Sequence, residues 1–196
     1  KYSNISNSEN STGDFVTGCK NCIECYDISD SEDCKYVTVG VQAKDVVDCS
    51  NMYIKPELSY QVLGTLGTYN VSFSLYIFNS QNVFYSDQCY HCKNLFGCVG
   101  LRNKEHCVFN KQYSKSDYEK LVAKIAQHMQ STGEWGEFFP SELTPFGYNE
   151  SVASDYFPRP KSAVNALGVY WSDYEPTAPQ VEKIVAKEQM KNLPDS

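Results

Sequence analysis

The sequence lacks the features that would identify a membrane protein or a nucleic-acid-binding protein at sight. No apolar run approaches the roughly 18 residues that a membrane-spanning helix requires. Lys and Arg form no long run, and the net charge of −7 disfavours a broad phosphate-binding surface. We therefore expect no membrane partner and little nucleic-acid binding by this chain alone.

The start of the chain, residues 1–4, has neither an initiator Met nor the apolar core of a signal peptide. We interpret it as the edge of a domain from a longer protein. The composition is that of a globular protein, with 41% hydrophobic and 21% charged residues.

Cysteine is missing from the end of the chain but frequent before it. All nine cysteines precede residue 108, between Cys19 and Cys107. An odd number of cysteines in a chain with a core of ordinary size argues against a secreted scaffold held by disulfides. The sequence therefore predicts reduced thiols and a cytoplasmic protein.

A 12-residue repeat covers most of the first half of the chain. Steps of 12 reach an apolar residue each time if one extra residue lies between Leu58 and Val71. Seven of the eight residues that directly precede these positions are acids or amides. The predicted core stack consists of Cys22, Cys34, Val46, Leu58, Val71, Val83, Leu95 and Cys107.

Such a repeat predicts a mainly β fold, a β-solenoid (β-helix) over residues 19–113, with an N-terminal edge or cap at 1–18. Strands stack about 4.8 Å apart, so equivalent side chains form columns that favour small residues such as Cys, Ser and Val. Asn and Asp suit the bends, because they tolerate left-handed backbone. The runs 36–39 and 74–78 are predicted strands. A coil could contain 12 residues or 24. The alternative fold is an antiparallel β meander with one hairpin per repeat and the same helical cap.

A helical cap is expected over residues 114–172. Ser114 and Asp117 resemble a capping box, and apolar residues then follow at helical spacing over about 14 residues up to Gly133. This helix should cover the open end of the solenoid. Asn149 should cap a short helix that reaches Tyr156, and another is expected from 162 to 167. Residues 173–196 are predicted to be a linker and tail.

The cysteines permit two interpretations. Paired CxxC spacings are common in zinc sites, and Cys89, Cys92, Cys98 and Cys107 are the alternative ligands, as are the triplet Cys19, Cys22 and Cys25 and the nearby His91 and His106. The repeat itself favours small core residues, since Ser, Val and Leu occupy equivalent places. We therefore predict no cofactor and no bound metal, with zinc as the alternative.

Catalytic arrangements have weaker support. Cys98 with His91 or His106 could form a nucleophile and base, yet no third orienting group can be named. Asp33, Asp45 and Glu57 share a register that could line the groove of a polymer-acting enzyme, but bends explain them equally well.

An aromatic segment after the helix could bind a protein or peptide partner, because aromatic residues beside charges are frequent in binding hot spots. Packing of these side chains onto the solenoid is the alternative. The candidate binding residues are Glu134, Trp135, Glu137, Phe138, Phe146 and Tyr148.

Residues 92–150 resemble an uncharacterised cysteine-rich repeat family of genome-reduced candidate-phyla bacteria. The resemblance rests on residues 92–104, 110–114, 133–140 and 145–150, and it extends more loosely through the other repeats. Members of that family carry zinc-finger-like modules on both sides, which this chain lacks. The resemblance implies a bacterial origin and a central fragment, but no function, and the residues give no support to a CoA-transferase activity.

The sequence thus favours a non-enzymatic interaction or scaffolding module with an unknown protein or peptide partner. A zinc-binding structural or nucleic-acid-associated protein is the alternative, and a polymer-acting solenoid enzyme is the third possibility.

Overall fold

The structure, a computed structural model, describes residues 3–41, 44–53, 56–144 and 146–174. The chain divides into two compact units, Lys1–Phe139 and Pro140–Ser196. The long helix and residues 133–139 thus belong with the solenoid, and residues 140–172 of the predicted cap belong to the second unit.

The first unit is a β-solenoid of about eight coils, which confirms the predicted fold class. Successive coils pair in parallel, which excludes the antiparallel meander. Among the described strands, only the last two pair antiparallel. Gln81 pairs with Lys93, twelve residues later, so one coil contains 12 residues and not 24. The strands are β1 Ile5–Ser6, β2 Gly13–Thr17, β3 Cys25–Ser29, β4 Glu32–Lys35, β5 Thr38–Val41, β6 Lys44–Val47, β7 Ser50–Tyr53, β8 Glu57–Leu66, β9 Tyr69–Leu75, β10 Gln81–Phe84, β11 Lys93–Phe96, β12 Glu105–Val108 and β13 Lys111–Gln112.

A shorter period of three residues lies inside the 12-residue coil. In the coil that begins at Val83, every third residue is buried, and each buried residue is preceded by one with a positive φ near 50°. Four such turns close this coil into four short sides. The predicted strands at 36–39 and 74–78 therefore each contain a turn residue, and the observed strands β5 and β9 are displaced from them. Over the coil from 83, the buried residues are Val83, Ser86, Cys89 and Cys92, and the turn residues are Asn82, Tyr85, Gln88 and His91.

The predicted core stack requires one correction. Leu58 is 43% exposed and has a positive φ, whereas Ser59 is buried and pairs with Val46. The extra residue lies between Tyr53 and Glu57, before Leu58 rather than after it. The same shift puts Val62 in the core instead of Gln61. The other seven residues lie in the main core cluster: Cys22, Cys34, Val46, Val71, Val83, Leu95 and Cys107.

Two of the serines inside the tube, Ser80 and Ser86, are hydrogen-bonded to the backbone. The Ser80 hydroxyl donates to the Phe78 carbonyl at 2.8 Å and accepts the Cys92 amide of the next coil at 2.9 Å. Ser86 makes the same pair of bonds. A buried hydroxyl is tolerated when it is bonded in this way, so Ser can alternate with Cys and Val in the core.

Amide side chains form ladders along one row of turns. Asn70 donates to Asn82, and Asn82 donates to Asn94, both at 2.9 Å. The ladder ends at the His106 ring, 3.0 Å from the Asn94 amide. All four residues have positive φ, which Asn adopts more readily than most residues. Leu58 occupies the equivalent turn one coil before Asn70.

The helix α1 spans Lys115–Thr132, longer than the 14 residues expected. Ser114 caps it through the Asp117 amide at 3.1 Å, and Gly133 ends it with a φ of 78°. Tyr118, in its first turn, lies with its ring 5.7 Å from that of His106 in the last coil. Burial raises the pKa of Tyr118, and the nearby thiols of Cys98 and Cys107 add to the shift. The start of α1 therefore contacts the last coil, and the rest lies against a side of the solenoid. That the helix covers the open end stays a prediction.

The second unit contains two 3-10 turns, Ser141–Leu143 and Tyr148–Glu150, and the helices α2 Val152–Tyr156 and α3 Lys161–Ala166. The Asn149 side chain does not cap a helix but clasps the Ser172 backbone, accepting its amide at 2.9 Å and donating to its carbonyl at 3.0 Å. A Cβ at Gly147 would lie 2.4 Å from the Ser172 nitrogen, so only glycine fits there. Among the described residues, no helix has both the length and the apolar character to cross a membrane.

Candidate interaction face

One side of the solenoid carries two rows of large side chains, and we call it the aromatic face. It comprises the residues one and two positions after each member of the core stack, and parallel pairing brings them into register from coil to coil. The strand row is Ile23, Lys35, Val47, Tyr60, Ser72, Phe84, Phe96 and Val108. The turn row is Glu24, Tyr36, Asp48, Gln61, Phe73, Tyr85, Gly97 and Phe109.

The C-terminal half of this face, from Phe73 to Val108, is the covered half. Its side chains form a second hydrophobic cluster with apolar residues of α1 and with Phe139. Phe96 is only 2% exposed although it points away from the tube. The helix residues in the cluster are Tyr118, Leu121, Val122, Ile125 and Met129.

The segment after α1 completes this cover. The Trp135 ring stacks on Phe96 with centroids 6.5 Å apart, and Phe139 meets the Tyr85 ring edge-on at 6.3 Å. The Gly136 amide donates to the Tyr85 hydroxyl at 3.0 Å. Burial raises the pKa of Tyr85, and the Gly136 bond opposes that shift. Trp135 therefore serves mainly to pack the segment onto the solenoid.

The six predicted binding residues are divided between the two units. Glu134 and Glu137 are exposed beside the packed segment, and Trp135 and Phe138 each keep somewhat more than a third of their surface accessible. Phe146 and Tyr148 belong to the second unit. There Phe146 is exposed, while the Tyr148 hydroxyl donates to the Phe157 carbonyl.

The N-terminal half of the aromatic face, from Ile23 to Tyr60, is the free half. Ile23 is 46% exposed, Tyr36 43% and Tyr60 38%. The Tyr60 ring meets Phe73 edge-on at 5.3 Å, so the free half continues directly into the covered one. Tyr36 carries the Lys35 ammonium over its ring at 4.7 Å.

Charge is distributed unevenly along the solenoid. Residues 3–53 contain nine acidic and three basic residues, whereas residues 81–113 contain two acidic and four basic ones. On the free half, Glu24 and Asp48 stand exposed at the turns, and Asp33 is exposed at the neighbouring row of turns. The free half is therefore a strip in which apolar side chains are interspersed with acidic ones.

The nine cysteines are all buried in the core of the solenoid, and none of them forms a disulfide. Cys89 and Cys92 donate to carbonyls two residues earlier, at 3.4 and 3.2 Å, and Cys98 and Cys107 do the same. Burial raises the pKa of Cys49 to about 12 and that of Cys89 to about 11. Within the described ranges, no three His, Cys, Asp or Glu side chains are arranged to hold a metal ion.

The candidate catalytic groups also have structural partners. Cys98 donates to the Phe96 carbonyl inside the tube, while His106 bonds Asn94 in the outer ladder. Asp33 accepts a bond from Asn21 in the N-terminal part of that ladder. Glu57 pairs with Lys44, so it stands on a strand and does not share the register of Asp33 that the sequence suggested.

Comparison with known proteins found no matching family profile, no matching curated protein and no matching solved structure. The resemblance of residues 92–150 to a bacterial family stays a prediction.

Proposed function

We propose that the first unit is a non-enzymatic interaction module whose aromatic face receives apolar segments of partner proteins. The observation that carries the proposal is that this face already holds one such segment, α1 with Trp135 and Phe139, over its covered half. The free half continues the same array of side chains through the contact between Tyr60 and Phe73.

The chemistry of the free half suits a reversible contact. Aromatic side chains contribute disproportionately to binding when a partner excludes water from them. Tyr36 and Tyr60 are held on a backbone whose strands pair in parallel on both sides, which fixes their spacing before a partner arrives. Nine core cysteines without a disulfide are consistent with work in a reducing, cytoplasmic environment.

A peptide-display selection tests this proposal. Random 16-residue peptides would be selected on the wild-type protein and then counter-selected on a Tyr36→Asn, Ile23→Thr variant. Asn suits the positive φ of Tyr36, and Thr suits a strand, so the variant should fold.

The matched control is Tyr76→Asn. Tyr76 has a similar exposure and a similar φ, but it lies on another side of the solenoid. We expect enriched peptides that bind the wild type and the control at least tenfold more tightly than the double variant. Enriched peptides that bind all three proteins equally would refute the proposal.

A further inference from the structure

We infer that the segment received by the free half is a basic amphipathic helix of three to four turns. This inference rests on the proposed function and adds the chemistry of the partner. It draws on two properties of the free half, its continuity with a helix-binding surface and its charge.

Continuity indicates a helix. The covered half of the same face packs against one face of α1, through residues such as Leu121, Ile125 and Met129 at helical spacing. The free half has the same construction, with one strand residue and one turn residue per coil. Its four coils span about 19 Å at 4.8 Å per coil, the length of about 13 helical residues at 1.5 Å each.

Charge indicates a basic helix. Glu24 and Asp48 lie on either side of Tyr36 on the turn row, and both of their side chains are exposed. Lys35 is the one cation on the described part of the strip, and its ammonium already lies over the Tyr36 ring. A helix with Lys or Arg beside its apolar stripe would meet the two carboxylates, whereas an acidic helix would be repelled by them and by the acidic surroundings.

Fluorescence anisotropy with three labelled 14-residue peptides tests the inference. The first repeats Leu-Lys-Lys-Leu-Leu-Lys-Leu twice. The second has the same composition in an order without a helical apolar stripe, and the third replaces every Lys of the first by Glu. Binding would be measured to the full chain at low and at moderate salt, because attraction between exposed charges is screened by salt.

We expect the basic amphipathic peptide to bind at least tenfold more tightly than either other peptide. Tyr36→Asn should weaken it about tenfold, as the loss of a central aromatic contact does. Glu24→Gln with Asp48→Asn should weaken it severalfold at low salt and less at moderate salt. Tyr76→Asn and Asp27→Asn are the matched controls on other turns, and both should leave binding unchanged.

The outcomes separate the two proposals. Tighter binding of the acidic amphipathic peptide, lost in Tyr36→Asn, would overturn the basic partner and leave the interaction face standing. Equal binding of the scrambled peptide would overturn the helix. Binding of all peptides that is insensitive to Tyr36→Asn would overturn both this inference and the proposed function.

Discussion

The covered and free halves of the aromatic face both have one strand residue and one turn residue per coil, and they differ in the side chains at these positions. In the covered half, apolar residues fill both rows, as Phe84 with Tyr85 does, and α1 removes most of them from water. In the free half, each apolar residue stands beside a polar one, as Ile23 does beside Glu24 and Val47 beside Asp48. A strip with polar neighbours stays hydrated without a cover, so the composition of the rows separates a permanent intramolecular contact from an available one.

The largest expected difference between the halves concerns stability. Phe96→Ala should destabilise the first unit by about 3–4 kcal/mol, because it empties a fully buried site under Trp135. Tyr36→Asn should change the free energy of unfolding by less than about 0.5 kcal/mol, since Tyr36 is half exposed and Asn tolerates its φ. Urea unfolding of both variants measures the difference, and similar losses would show that the free half is also structural.

Tyr85→Phe tests the bond that fastens the aromatic segment. Removing the hydroxyl leaves the Gly136 amide without its partner, which should cost about 1–2 kcal/mol. Hydrogen exchange of the Gly136 amide should accelerate in the variant while the amides of β9 and β10 stay protected. Unchanged exchange at Gly136 would mean that this bond does not hold the segment.

Leu58→Asn should stabilise the chain by up to about 1 kcal/mol, measured by urea unfolding. Leu58 lies at a turn of positive φ in the row where Asn70, Asn82 and Asn94 form the ladder. Tyr69→Asn is the control, because Tyr69 is similarly exposed and also stands on a strand, β9, but lacks a positive φ. A gain in the control as large as that in Leu58→Asn would argue against the turn as its source.

The smallest effect is expected at Asp87, which lies outside the aromatic face between Leu75 and Val99 of adjacent coils. Desolvation raises its pKa, so the folded state binds the proton more tightly than the unfolded state does. Ionised Asp87 therefore lowers the free energy of unfolding at pH values above its folded pKa. This loss disappears as the pH falls below the pKa of Asp in the unfolded chain, about 3.9.

Asp87→Asn should accordingly stabilise the protein at neutral pH by less than about 1 kcal/mol, because the group is only partly buried. The gain should shrink towards pH 4. Thermal unfolding at several pH values checks this, and a gain that is constant with pH would assign it to packing instead of charge.

Much of the solenoid could be predicted from the sequence because its constraints are local. The acid or amide before most core positions marks a turn, and small residues such as Cys22 and Cys34 mark the column behind it. The period of three was also readable, since the residues from Cys19 to Val37 are small or apolar at every third place. The cysteine spacings in that run also match those of metal-binding sites, so the same residues permit a second interpretation.

The rest depended on information that local patterns do not contain. Hydrophobicity assigned Leu58 to the core, but only the pairing of Val46 with Ser59 shows where the extra residue lies. The aromatic face can be identified only once each side of the coil is known to contain three residues. This geometry places Phe73 and Phe96 on the same side of the tube. Trp135, a candidate binding residue, packs on Phe96 within the cover of that face, and binding at the six candidate residues stays a prediction.

The 12-residue coil also bears on how such a chain can change length over generations. Removing or duplicating 12 residues from one turn to the next would return every later residue to its own column, and would shorten or lengthen the stack by about 4.8 Å. A single inserted residue, in contrast, moves everything after it onto the wrong side unless the pairing register shifts with it, as it does here where Tyr53 pairs with Leu66, thirteen residues later. Genes for this architecture can therefore vary the number of coils in a face, and with it the length of the segment that the face can hold, without redesigning the core.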